Sequence, residues 1–290
     1  MIRKRKRKSW FARAYVVGYR CATDNLSIEK NSKQKFKVIM PSLKYGYADP
    51  FPVIYNGKHY IFAEIMDKFT EHGCIGVCCI EEHSKFVKVI DEPFHMSYPN
   101  VFELDGTYYM IPETHEARDI RLYVSDDFPY KWKLKKILVS DQNVADFSFF
   151  IKGDIMYAIA WDNDRKSSHL YRVSLNNFET EELFPNREAL IDMRPGGNFY
   201  TSNDKLIIPL QECSRCYGEY LRFVETKVFT DNNIEQKELF QLKSKDVKVD
   251  KLIIYDRLHT YNRVDDFEVI DLLIYQISPK QVWLKLTRQI

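Results

Sequence analysis

Two stretches of this chain are built to one plan, and that plan limits what it can fold into. Between Ala48 and Glu64, Asn56-Gly57 marks a type I′ hairpin turn, because that turn needs positive φ at both central residues. The flanks are rich in β-branched and aromatic residues, as strands prefer. Ser97 to Glu113 repeats the design around Asp105-Gly106, with a proline and a closing glutamate at the same offsets. Counting outward from each turn, Asp49 faces Glu64 and Tyr98 faces Glu113, so the open end of each hairpin carries acids.

Hairpin turns recur near positions 56, 105, 152, 203 and 265, a period of about 50 residues with about four strand-like segments in each. That is the signature of β-propeller blades. No amphipathic helix of 10–15 residues intervenes, which argues against an α/β fold. A β-sandwich with coincidental spacing is the alternative. The expectation is an all-β, five-bladed β-propeller of about four-stranded blades, occupying residues 10–290 as one domain. The fifth unit is short of strands. Residues 10–20 supply one, closing the ring and removing a free edge. Trp283 to Leu286 reads as a late strand, and Thr23 to Lys37 reads as a loop.

In a propeller the first strand of each blade lines the central channel, so the open ends of the first hairpins converge near the axis. Blade one brings Asp49 and Glu64. Blade two brings Tyr98 and Glu113, with His95 just before. Blade three brings Asp146. Blade four sets Pro195 against Glu212, flanked by Arg194 and Gln211. Blade five sets Thr260 against Asp271, with His259 alongside. Crowded carboxylates raise one another's pKa, which is how an acid stays protonated near neutral pH. Arg194 and Arg215 are placed to offset the charge. An acidic mouth edged with aromatic rings suits a sugar: carboxylates accept hydroxyl hydrogens, and rings stack on pyranose faces. The expected ligand is a carbohydrate or nucleotide sugar.

The formal net charge is +2, and six cations sit in Arg3-Lys4-Arg5-Lys6-Arg7-Lys8, so the rest of the chain is slightly acidic. This gives no nucleic-acid face. Residues 1–9 read as a basic, disordered tail. Arg13 interrupts the apolar run that a signal peptide needs, and no segment reaches the ~18 apolar residues of a membrane span. A cytoplasmic location is expected. The six cysteines lack a disulfide spacing, and Cys213-Ser-Arg-Cys216 is a lone CxxC without the second pair of a structural zinc site. No motif calls for a metal or a cofactor, although the clustered carboxylates with His95 or His259 have the donor types for a divalent ion.

Several segments together resemble one family. These are Ala48-Asp49-Pro50-Phe51, His95 to Pro99, Met110 to Thr114, Arg194-Pro-Gly-Gly197, Pro209 to Cys213 followed by Tyr217-Gly218, and His259-Thr260 with Val269-Ile-Asp271. They resemble the N-terminal-like domain of glucosamine inositolphosphorylceramide transferases, itself similar to the five-bladed propellers of the glycoside hydrolase family 43 superfamily. The resemblance covers nearly the whole chain and implies a carbohydrate role, often in surface-glycan synthesis. It implies Asp49 as general base, Asp146 as the residue that tunes pKa, and Glu212 as acid, with Glu113 the alternative acid. Phe147 stands where the hydrolases carry proline. The transferase's own catalytic domain lies elsewhere in that protein. Three functions therefore remain open: an enzyme acting on a glycosidic bond, a silent sugar-binding or scaffold propeller that serves a partner glycosyltransferase, and a protein-interaction propeller without sugar chemistry.

Overall fold

The computed structural model describes residues 11–22, 34–82 and 85–277, together with 282, 283, 286 and 287. Strands β1 (Phe11–Cys21) and β2 (Lys37–Ile39) come first. Blade one is β3 (Tyr45–Tyr55), β4 (Lys58–Asp67), β5 (Gly73–Cys79) and β6 (Val87–Ile90). Blade two is β7 (Ser97–Leu104), β8 (Thr107–Thr114), β9 (Asp119–Asp127) and β10 (Lys131–Ser140). Blade three is β11 (Val144–Lys152), β12 (Ile155–Asp162), β13 (Ser167–Ser174) and β14 (Thr180–Leu183). Blade four is β15 (Asn186–Ala189), β16 (Tyr200–Ser202), β17 (Lys205–Glu212), β18 (Tyr220–Phe229) and β19 (Asn233–Leu242). Blade five is completed by β20 (Tyr255–Arg257), β21 (Tyr261–Val264) and β22 (Phe267–Ile277). The fold is a five-bladed β-propeller.

The N-terminal strand closes the ring. β1 lies antiparallel on β22 along its whole length, from Phe11 opposite Ile277 to Cys21 opposite Phe267, and β2 pairs on its outer edge. Lys37 thus begins a strand and does not extend the preceding loop. The late strand expected at Trp283 to Leu286 is not found among the described residues of that segment. Val282, Trp283 and Leu286 are helical, and the Thr287 amide donates to the Trp283 carbonyl at 2.9 Å. The expected basic tail, residues 1–9, lies outside the described residues.

The core is divided among the blade interfaces. Phe51, Phe62 and Ile75 of blade one pack on Tyr98, Met110 and Tyr123 of blade two. A similar apolar cluster fills each of the other four interfaces, including Val17, Ile61 and Val269 between blades five and one. Side chains also stitch blade to blade near the axis. Asn100 Nδ2 donates to the Phe147 carbonyl at 3.0 Å, and Asn262 Nδ2 donates to the Pro50 carbonyl at 2.9 Å. Asn262 Oδ1 accepts the Asn198 amide at 2.6 Å. Blade four can approach that closely because of Gly197: at φ +155°, a Cβ there would lie 1.9 Å from the Tyr261 carbonyl oxygen.

The hairpin turns fall where expected, with positive φ at Asn56, Gly57, Asp105 and Gly106. The ladders above them are not regular. In β3 the pairing steps from Phe51↔Phe62 to Ala48↔Glu64, so Asp49 and Pro50 together oppose Ala63. In β7 it steps from Asn100↔Ile111 to Ser97↔Glu113, and in β11 from Ser148↔Ile159 to Ala145↔Trp161. These are β-bulges, in which two residues oppose one. The bulged residues Asp49, Tyr98 and Asp146 all have positive φ, at 49°, 49° and 56°. Glu64 therefore pairs with Ala48, and Glu113 with Ser97, one residue away from the expected partners. In blade four Pro195 bridges Leu210 and not Glu212. Blade five keeps the expected register: Tyr261 pairs with Ile270, and the Asp271 amide reaches the Thr260 carbonyl.

Candidate active site at the propeller mouth

The bulges do two things. They bend the first strand away from its partner, and they turn Asp49, Tyr98 and Asp146 out of the ladder at one level of three successive blades. Each lies seven residues before the first positive-φ turn residue of its own hairpin, at Asn56, Asp105 and Gly153. Non-glycine residues hold such φ values at some energetic cost, and strain of this kind concentrates at functional sites.

Asp49 meets blade five. Its Oδ1 accepts the Thr260 hydroxyl at 2.6 Å and faces His259 Nε2 at 3.3 Å. The other ring nitrogen of His259 lies 2.7 Å from Asp271 Oδ2. Asp271 is fully buried and collects the backbone N–H groups of Asp49 at 3.2 Å and of His259 and Thr260 at 3.0 Å each. An imidazole is thus clamped between two carboxylates. Burial alone would push His259 down, but Asp271 and Asp49 outweigh it and hold it up at about 9. Burial pushes Asp49 up; His259 opposes this, while Glu64 and Asp271 add to it, leaving Asp49 at about 6.

Asp146 meets blade four. Arg194 grips it with Nε and with Nη2, the latter 3.1 Å from Oδ1. The same Nη2 donates to Glu113 Oε2 at 3.1 Å, so one guanidinium joins blades two, three and four. Gln211 Nε2 adds a bond to Asp146 Oδ2 at 3.0 Å. Burial, reinforced by Glu113, raises Asp146 well above the usual carboxylate range despite Arg194. Burial would raise Glu113 as well, but His115, at 2.5 Å, and Arg194 bring it down to about 2. The Asp49 charge adds to the upward push on Asp146.

The remaining expected residues divide. Glu64 joins His95 Nε2 at 3.2 Å beside the mouth, and despite its burial His95 is held at about 9 by Glu64. Tyr98 is buried, its hydroxyl 2.7 Å from Ser148 Oγ, between the Asp49 and Asp146 bulges. Glu212 is not brought in. It follows the inward Gln211, so its side chain takes the other face of β17, where Arg222 holds it at 2.5 Å. Arg215 is exposed on Glu219 and also stays out. Four other side chains join the site. Thr260 and His115 bond the carboxylates directly. Tyr15 of β1 lies with its ring 4.3 Å from that of His259, and Tyr217 stands at 5.2 Å from His259 with Arg194 over its face. Tyr217 is 44% exposed and is the aromatic edge of the mouth. Tyr217-Gly218 carried a sequence signal: a Cβ at Gly218 would lie 2.6 Å from that of His259. Tyr15 carried none, because its place depends on ring closure.

Among the described residues, Asp49, His259 and Asp271 form the group whose donor atoms lie close enough, within 4.8 Å of one another, to hold a metal ion. Both ring nitrogens of His259 already face carboxylates, so the imidazolium itself supplies the neutralising charge there. This sets a pH dependence. A histidine held at about 9 when folded and near 6.5 when unfolded stabilises the fold fully below pH 6.5. That contribution declines as pH rises to 9. Chemical denaturation should show a loss on the order of 3 kcal/mol across this window. His95, held as high, adds a similar share, so His259→Gln should remove roughly half of the slope, and an unchanged slope would refute the clamped imidazolium.

A ring of five small antiparallel sheets with buried carboxylates, an arginine and an aromatic edge at its mouth defines the class: a five-bladed β-propeller with an acidic mouth. The chain belongs to the family described as glucosamine inositolphosphorylceramide transferase 1, N-terminal, whose model matches residues 38–262. The glucosamine inositolphosphorylceramide transferase 1 of Arabidopsis thaliana is 27% identical over 206 residues, 66% of this chain and 27% of that protein. The protein of the same name from Oryza sativa subsp. indica is 26% identical over 203 residues, 65% of this chain and 27% of that protein. The chain thus spans about a quarter of the length of these relatives. In fold it is similar to an α-L-arabinofuranosidase from Podospora anserina in complex with cellotriose. The TM-score is 0.58 at 12% identity, covering 80% of this chain and 91% of the other. It is likewise similar to the GH43_1 enzyme of Xanthomonas citri complexed with xylotriose, with TM-score 0.54 at 9% identity, covering 82% and 88%. No helix among the described residues is long and apolar enough to cross a membrane.

Proposed function

We propose that this propeller acts on a glycosidic bond during cytoplasmic assembly of a cell-surface glycan, with the sugar seated at the mouth. The observation that supports this most is the pair of bulge carboxyls, Asp49 and Asp146, at the same bulge position of blades one and three, both pushed up by burial and each held by different partners. Two carboxyls set in different surroundings are the arrangement from which a base and an acid are drawn. Asp49, ionised above about pH 6, takes the proton of the attacking hydroxyl. Asp146, held by Arg194 and Gln211 beside Glu113, is pushed by burial toward its protonated form and is the candidate donor toward the leaving oxygen. Tyr217 offers its ring to the sugar face. Glu212, tied to Arg222 on the far side of β17, has no part in this scheme.

A second reading, a sugar-binding propeller that assists a partner glycosyltransferase, is favoured by one observation. Where the hydrolase pattern expects an acid on blade four, this chain presents Arg194 and Gln211 to the mouth. Asp49→Asn separates the two readings. Turnover should be followed on activated glycosides and nucleotide sugars, and sugar binding by calorimetry. In the enzyme reading the variant loses about 10²–10⁴-fold in rate while its affinity stays within about tenfold. Wild-type protein that binds sugar and turns over nothing establishes the second reading. Protein that neither binds nor turns over any sugar refutes both.

A further inference from the structure

Where blades two, three and four meet, the mouth shows cations to solvent and keeps its carboxyls underneath. The side chains of Glu113 and Asp146 are 5% and 2% exposed, whereas those of His115 and Arg194 are 34% and 20% exposed. Glu113 holds both cations, one on each oxygen. Its Oε1 lies 2.5 Å from His115 Nδ1, and its Oε2 accepts from Arg194 Nη2 at 3.1 Å. The opposite ends of the two cations are unused. Nε and Nη2 of Arg194 are engaged by Asp146 and Glu113, but among the described residues Arg194 Nη1 and His115 Nε2 make no hydrogen bond. The bond to Glu113 raises His115 above its ordinary value and so favours a proton on that free nitrogen.

The imidazole is also fixed in place. His115 opens a short 3-10 turn, His115–Ala117, directly after β8. The Arg118 amide closes that turn on the His115 carbonyl at 2.9 Å. Glu116, exposed in the same turn, accepts the His95 amide at 2.7 Å and ties the turn to the loop before β7. The His95 ring thereby lies 6.4 Å from that of His115. His95 adds positive charge but no free donor, because Nε2 faces Glu64 and Nδ1 lies 3.3 Å from the Glu71 carbonyl.

We propose that His115 and Arg194, with His95 alongside, form a subsite for the phosphate of a phosphate-linked sugar, such as a nucleotide sugar, whose ring sits at the mouth. This rests on the mouth being the sugar site. The free groups are N–H donors on cations, aimed by a buried carboxylate, and phosphate oxygens accept from such donors in short, charge-assisted bonds. Blade four fits the same ligand. Arg194 stands where the hydrolase pattern expects a carboxyl, and a guanidinium matches phosphate geometry.

The test is calorimetry of the full chain with inorganic pyrophosphate, UDP-glucose, UDP-N-acetylglucosamine, methyl glucoside and methyl glucuronide. Pyrophosphate and a nucleotide sugar should bind, methyl glucoside at least about tenfold more weakly, and added salt should weaken the phosphate-bearing probes. His115→Asn keeps a donor toward Glu113 and removes the free nitrogen. It should weaken the phosphate-bearing probes about tenfold or more and leave methyl glucoside unchanged. If that variant unfolds, His95→Gln, which keeps a neutral donor toward Glu64, should still weaken the same probes several-fold. Failure of pyrophosphate and of both nucleotide sugars to bind overturns the proposal. So does methyl glucuronide binding as tightly as a nucleotide sugar, which marks a carboxylate site. Methyl glucoside binding that phosphate does not improve sinks the subsite and leaves the mouth reading standing. Pyrophosphate binding that needs His115, with no sugar bound, sustains the phosphate subsite and sinks the mouth reading.

Discussion

Asp271→Ala should destabilise the protein by about 4 kcal/mol or more, read as a fall in the thermal midpoint on the order of 10 °C. Asp271 is fully buried and carries four interactions: three backbone N–H groups from two blades and the His259 ring. Alanine leaves those donors without acceptors in a space closed to water. Each orphaned buried donor costs about 1–3 kcal/mol, and the imidazolium loses its nearer carboxylate. Two consequences separate this from a simple cavity effect. The pKa of His259 should fall from about 9 by more than a unit in NMR titration, because Asp271 is the strongest influence holding it up. Asp271→Asn, which keeps one acceptor oxygen, should recover a substantial part of the loss. A loss under about 1 kcal/mol in the alanine variant would mean that Asp271 is not the anchor joining blades one and five.

Arg194→Met should cost about 3–5 kcal/mol at pH 7 for a different reason. It removes the cation shared by Asp146 and Glu113 while keeping most of the side-chain volume. Two buried carboxyls then face each other with only His115 and Gln211 for support. The sign with pH follows from this. In the native protein Glu113 is held at about 2, below its unfolded value near 4.5. Its contribution is therefore present above pH 4.5 and is lost as pH falls toward 2. In the variant both carboxyls are pushed up and take protons more readily, so its relative stability improves on acidification. The gap between wild type and Arg194→Met, measured by urea unfolding, should narrow steadily from pH 7 to pH 4. A gap independent of pH would show that Arg194 acts by packing against Tyr217 and not by charge.

These predictions rest on residues of unequal legibility. The blades and their turns were readable because Asn56-Gly57 and Asp105-Gly106 combine residues that tolerate positive φ with strand-like flanks, and the pattern recurs. Ring closure by residues 10–20 was readable from a shortage of strands in the fifth unit. Asp49, Asp146, Arg194, His259 and Asp271 were readable as mouth residues because a propeller's symmetry carries first-strand ends to the axis. Counting across a turn assumes an unbroken ladder, and there it failed. The bulges at Asp49, Tyr98 and Asp146 moved Glu64 and Glu113 to other partners. Pro50 and Pro99, which lack the N–H a central ladder requires, were the available warning. Asp146-Phe147 carried no such mark.

What the sequence determined by itself is local and periodic: five hairpins, their turns, and the chemical character of their open ends. Which carboxyl meets which cation was decided only in three dimensions. Asp49 and His259 are separated by most of the chain and meet only because β1 seals blade five beside blade one. Gln211 reaches Asp146 while its neighbour Glu212 points away to Arg222, because strand alternation gives adjacent residues opposite faces. Periodicity specifies the ring, and closure and register specify the site.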